Sequence, residues 1–104
     1  MTGQELHKLA GKAHEASHLL KALAHQTRLL ILCILAGEER TVSEIENILG
    51  IQQAMVSQQL ARLRLEGLVN TRREGRLVYY SVGNVGVLAF LELLFDLFPA
   101  AEIS

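Results

Sequence analysis

The chain has 104 residues, half of them hydrophobic and a fifth charged, which is enough for one small core and too apolar for a disordered polypeptide. A lone cysteine, Cys33, excludes an internal disulfide framework, and no apolar run reaches the roughly 18 residues of a membrane span, since Glu92 and Asp96 interrupt the most apolar stretch. The net charge of −1 excludes a uniformly basic polypeptide, and with no signal-like segment the expected setting is cytoplasmic, reducing and free of membrane.

Leu6, Leu9, Ala10, Ala13, Ala16, Leu20 and Leu23 follow the helical repeat and predict an amphipathic first helix over Gln4–Leu23. A second helix over Thr27–Ala36 is apolar on every side from Leu29 to Leu35, the pattern of an element buried in the middle of a domain, and Gly37 stops it. Thr41-Val42-Ser43-Glu44 has the spacing of a capping box and opens a short third helix that runs to Leu49 and ends at Gly50. A fourth helix over Gln53–Glu66 places Val56, Leu60 and Leu63 on one face and stops at Gly67. Two short helices joined by a glycine-containing turn are a helix-turn-helix candidate. Leu68–Arg73 and Leu77–Ser81 read as two strands around Glu74-Gly75-Arg76, a hairpin directly behind that candidate. The last helix, Val85–Phe98, is apolar on nearly all sides, so Leu88, Leu91, Leu94 and Phe95 are expected at an interface between two copies of the chain. The expected fold is mainly α with a small β-hairpin, a winged helix-turn-helix in a single domain over 1–104.

Charge is distributed unevenly. From Ile51 to Ser81 stand Arg62, Arg64, Arg72, Arg73 and Arg76 against Glu66 and Glu74, whereas beyond Val82 only Glu92, Asp96 and Glu102 remain. A basic middle and an acidic tail suit a molecule with one face toward phosphate.

The element order, together with Leu23-Ala24-His25-Gln26-Thr27-Arg28-Leu29, Val56-Ser57-Gln58-Gln59-Leu60, Leu63-Arg64-Leu65-Glu66-Gly67-Leu68-Val69 and Arg73-Glu74-Gly75-Arg76-Leu77-Val78-Tyr79-Tyr80, resembles the ArsR/SmtB family across nearly the whole chain. The resemblance implies a homodimer joined through its first and last helices, a repressor that binds a palindromic operator in double-stranded DNA and is released by an inducer. Ile31-Leu32-Cys33 and the run from Val56 to Arg64 look nearest to the branch that senses reactive sulfur, in which a second-helix cysteine works with another near the end of the last helix. Cys33 matches the first position, but Leu97-Phe98-Pro99-Ala100 has proline where the second would fall, so an intramolecular bridge has no second thiol.

On the fourth helix Ala54, Ser57, Gln58 and Ala61 point away from the core stripe, with Gln53 at its start. The second helix of such a motif enters the major groove with its N-terminal residues on base edges. Gln53, Ala54, Ser57 and Gln58 are therefore the expected base contacts, glutamine pairing with adenine, serine bonding several bases and alanine meeting a thymine methyl. Arg62, Arg72, Arg73 and Arg76 are expected on the phosphate backbone. A winged-helix scaffold that binds only protein is the competing reading, opposed by the arginines around the reading head.

Two readings stand for Cys33. Its apolar neighbours suit a small inert core thiol, while the family resemblance keeps a thiol sensor open. His7, His14 and His18 fall within about 40° of one another on the first helix, so a metal site there is a weaker alternative. The chain lacks the cysteine pair that the family's metal sensors carry in the third helix and the histidine of their last helix. No metal or other cofactor is expected. Without a catalytic constellation or a phosphate-cradling glycine loop, neither is an enzyme.

Overall fold

The structure, a computed structural model, describes residues 1–99; Ala100 and Glu102, used above, lie outside the described residues. Seven elements follow in the expected order: α1 (Gly3–Leu23), α2 (Gln26–Gly37), α3 (Val42–Leu49), α4 (Gln53–Leu65), β1 (Val69–Glu74), β2 (Leu77–Val82) and α5 (Val85–Leu97).

α1 begins with a capping box the sequence reading passed over. The Thr2 hydroxyl accepts from the Glu5 amide and the Glu5 carboxylate accepts from the Thr2 amide, both at 3.1 Å. Along its 21 residues α1 buries only Ala22 and Leu23, and Leu6, Leu9 and Leu20 are exposed. It meets α2 at 95°, and the radius of gyration is 15.8 Å, where a compact domain of this length has about 13 Å. Among the described residues no single helix is long and apolar enough to cross a membrane.

The core lies where the remaining helices and the hairpin converge. Ile31, Leu32 and Leu35 of α2, Ile45 of α3, Val56, Leu60 and Leu63 of α4, and Val87 and Leu91 of α5 are buried together with Leu68 and Val69. Two expectations need correction. α2 is buried on one side only: Leu30 is exposed and Cys33 and Ile34 are half-buried, because a single subunit supplies neighbours for one face of the helix. On α5, Leu91 is fully buried and faces the subunit's own core, so it has no surface left for a second copy. Leu88, Leu93, Phe95 and Leu97 are exposed and Leu94 is half-buried.

α4 ends one residue earlier than expected and β1 begins one later, for a single reason. Gly67 takes φ 75°, its amide bonds the Arg64 carbonyl at 3.0 Å, and the Leu68 amide bonds the Leu63 carbonyl at 2.9 Å. This is a Schellman closure. Its second bond uses the amide that would otherwise have opened the strand ladder and turns the Leu68 side chain into the core. β1 and β2 then pair antiparallel from Val69↔Val82 to Glu74↔Leu77 across Gly75 at φ 61° and Arg76, a two-residue loop that requires positive φ. The hairpin's base is held on two sides. The Gly83 amide bonds the Leu68 carbonyl at 3.0 Å, and Arg40, in the α2–α3 connection, exchanges both backbone bonds with Tyr80 at 3.0 and 2.8 Å.

Candidate nucleic-acid interface

α3 and α4 form the helix-turn-helix. Thr41 and Glu44 make the predicted capping box, with bonds of 3.2 and 3.0 Å. Accepting the bond from the Thr41 amide holds the Glu44 carboxyl below its ordinary pKa, helped by the Thr41 hydroxyl and by Arg40 nearby. Gly50 closes α3 at φ 68°, its amide on the Glu46 carbonyl at 2.8 Å, a left-handed turn that glycine makes at little cost. α4 follows two residues later. Val56, Leu60 and Leu63 are fully buried and lock one face of α4 down, while Ala54, Ser57 and Gln58 stand exposed away from it and Gln53 stands exposed at the helix start. The four expected base readers are thus all open on a helix whose buried side cannot move without breaking the core.

Gln59 does not share that exposure. It is half-buried, and its Oε1 accepts a 2.8 Å bond from Nε of Arg28 near the start of α2. This bond ties the reading helix to the layer beneath it. No local pattern announces it, because 31 residues separate the partners.

The four arginines expected on phosphate fall into two groups. Arg73 and Arg76, at the wing tip, are exposed and have no carboxylate partner among the described residues; nor has Arg64. Arg62 pairs with Glu66 one turn along α4 at 3.0 Å. Arg72 is held more tightly. Its Nε reaches both oxygens of Glu39 at 3.0 and 2.9 Å, Nη2 also bonds Glu39, Nη1 bonds Glu74 at 2.8 Å, and the guanidinium lies 4.5 Å from the centre of the Tyr79 ring. An exposed single pair is worth about 0 to 1 kcal/mol and opens readily to a phosphate. A bidentate pair with a second carboxylate and a stacked ring is far less free. Arg72 holds the Glu39 carboxyl below its ordinary 4.5, and the two carboxylates raise the guanidinium pKa in return. Because the Glu39 value is depressed, the pair is fully present above 4.5 and is lost as pH falls through the lowered value.

Cys33 lies on the outer part of α2, half-buried, and desolvation raises its thiol above the ordinary 9.0. At neutral pH it is protonated. His14 and His18 approach edge to face with ring centres 4.6 Å apart, but among the described residues no three metal-ligating side chains come together. The three-histidine alternative is therefore not assembled within one subunit, since His7 lies two turns of exposed helix away.

The helix-turn-helix and the hairpin behind it are found in known proteins of the same size. Residues 25–71 match the model of the bacterial regulatory protein family arsR. The transcriptional activator HlyU of Vibrio cholerae is 44% identical over 102 residues, covering 98% of this chain and 92% of its own, and the biofilm growth-associated repressor of Xylella fastidiosa is 36% identical over 102 residues, covering 98% and 87%. The crystal structure of HlyU from Vibrio vulnificus superposes with a TM-score of 0.86 at 40% identity, covering 90% of this chain and 98% of that one. BigR from Xylella fastidiosa gives 0.83 at 36%, covering 96% and 99%. Identity of this order along nearly the full length, on the same winged helix-turn-helix, makes this chain a member of the arsR family of DNA-binding transcriptional regulators.

Proposed function

We propose that the protein works as a homodimer and represses transcription by placing two α4 helices in successive major grooves of a palindromic operator, about 34 Å apart. The observation that carries this reading is the exposed row Gln53, Ala54, Ser57 and Gln58 on a helix clamped from behind by Val56, Leu60 and Leu63. These four residues read base edges, Arg73 and Arg76 hold the flanking phosphates, and Arg62 joins them by leaving Glu66. The exposed leucines of α1, with Leu88, Phe95 and the half-buried Leu94 of α5, supply the surface between subunits. The whole chain is one DNA-binding and dimerisation domain with no catalytic step, and it acts in the cytoplasm. Relatives carry the names of activators as well as repressors, and repression is the direction we assign because an operator occupied by a dimer blocks polymerase without further contacts.

Selection of bound duplexes from a random-sequence pool, followed by titration at several salt concentrations, tests the reading. A palindromic consensus with two half-sites one helical turn apart, bound more weakly as salt rises, is the expected result. Binding to no duplex, or only to non-palindromic sequences as a monomer, refutes it.

A further inference from the structure

Arg72 is basic, exposed and on the wing, so charge alone would count it among the phosphate contacts. Its surroundings assign it elsewhere. β1 alternates, and its register sets Arg72 opposite Tyr79 and Arg73 opposite Val78, so the two neighbouring arginines leave the hairpin on opposite faces. Arg73 meets no carboxylate among the described residues. Arg72 turns back toward the body of the protein, where Glu39 takes its Nε and Nη2, Glu74 takes Nη1 and the Tyr79 ring lies against its plane. Glu39 immediately precedes Arg40, whose backbone is paired with Tyr80. The side-chain clasp and the backbone bridge therefore join the same two segments, the α2–α3 connection and the hairpin.

We propose that Arg72 is a positioning residue, which with Glu39 fixes the angle of the wing against the helix-turn-helix so that Arg73 and Arg76 can reach the DNA backbone, and that Arg72 itself does not neutralise a phosphate. This rests on the DNA-binding reading above. It divides the wing's arginines by role: one braces and two touch. It also gives Glu39 a role that its sign conceals, since an acidic residue near DNA should by charge alone weaken binding.

Two measurements on the full-length protein test the assignment. The first needs no DNA. Amide hydrogen exchange across Val69–Val82 is expected to quicken in both Glu39→Gln and Arg72→Gln and to stay unchanged in Arg73→Gln; unchanged exchange in the first two overturns the proposal. The second follows binding to a duplex selected from a random pool as salt is varied. Arg73→Gln and Arg76→Gln should each flatten the slope of log affinity against log salt by about 1.8, twice the roughly 0.9 of a single phosphate contact, because each replacement removes one contact from both subunits of the dimer. Arg72→Gln and Glu39→Gln should leave the slope alone and both weaken binding, by about twofold to fivefold, the scale of a surface ion pair. Arg72→Lys should recover part of that loss. A slope flattened by Arg72→Gln, together with tighter binding by Glu39→Gln, places Arg72 on the phosphates and overturns the proposal. If the unmodified protein binds no duplex at all, the DNA reading falls, and the exchange measurement still decides whether Arg72 braces the wing.

Discussion

The headpiece and the flank of this small protein are built on opposite terms. In the headpiece, α3, α4 and the hairpin close around Ile45, Val56, Leu60, Leu63 and Val69, every one of them buried, and its turns are closed by a capping box and a Schellman motif. In the flank, α1 buries two residues of its 21 and α5 leaves Leu93, Phe95 and Leu97 open. A closely packed unit that presents a fixed polar surface stands beside helices that give the core only one side, Ala22 and Leu23 of α1 and Val87 and Leu91 of α5, and leave much of their remaining apolar surface open. Each region should fail in its own way when cut.

The largest effect is expected in the headpiece core. Ile45→Ala removes a fully buried side chain between α3 and α4 and should destabilise the fold by about 2 to 5 kcal/mol, read as a lowered denaturant midpoint; a loss below half a kcal/mol would mean the headpiece is not the folding core. Phe95→Glu sharpens the contrast, because Phe95 is 48% exposed in the subunit and the change leaves the headpiece untouched. It should leave thermal unfolding of the isolated subunit intact while weakening association at least about a hundredfold, roughly 2.7 kcal/mol, by sedimentation. Unaltered association would move the interface away from α5. Leu94→Glu is the poorer probe, since half-buried Leu94 packs on the core and the charge would disturb both regions at once.

Next in size is Gln58→Ala, expected to lower affinity for a selected duplex by about 1 to 3 kcal/mol while scarcely altering binding to random DNA; equal losses on both would deny Gln58 a base contact. The smallest effect concerns Cys33. With its thiol held above the ordinary 9.0 by burial, alkylation should run slower than for free cysteine at pH 8 and keep accelerating as pH climbs past 9, because only the thiolate reacts. Persulfide treatment should leave DNA affinity nearly unchanged, as one thiol per chain cannot close a bridge within a subunit. A tenfold loss of affinity with a stoichiometric sulfur adduct on Cys33 would make the lone thiol a sensor after all.

The sequence reading did best where the causes are local. The α4 stripe, the Thr41 capping box, the stop at Gly50 and the turn at Gly75 are written in neighbouring residues, and Ala54, Ser57 and Gln58, read as pointing away from the core stripe, are exposed, as is Gln53 at the helix start. It went astray where the cause is distant. Arg72 reads as one more basic wing residue, since nothing nearby in the sequence announces its bond to Glu39, 33 positions away. α2 and Leu91 misled for a related reason: periodicity tells how apolar a helix is, and cannot tell which of its sides the subunit itself will cover.

The capped first helix has a consequence for how long a lone subunit survives in a cell. α1 is a well-formed helix, closed at its start by Thr2 and Glu5, yet only Ala22 and Leu23 at its far end are buried, with Leu19 packed beside them. Segments held by so few buried contacts open at little free-energy cost, and proteases and chaperones act on what is open. In the proposed dimer a second copy would cover α1, whereas a lone subunit leaves Leu6, Leu9 and Leu20 exposed to that machinery. Turnover would then fall most heavily on unassembled chains, so that the amount of regulator in the cell is set by how readily two copies meet as much as by how fast they are made.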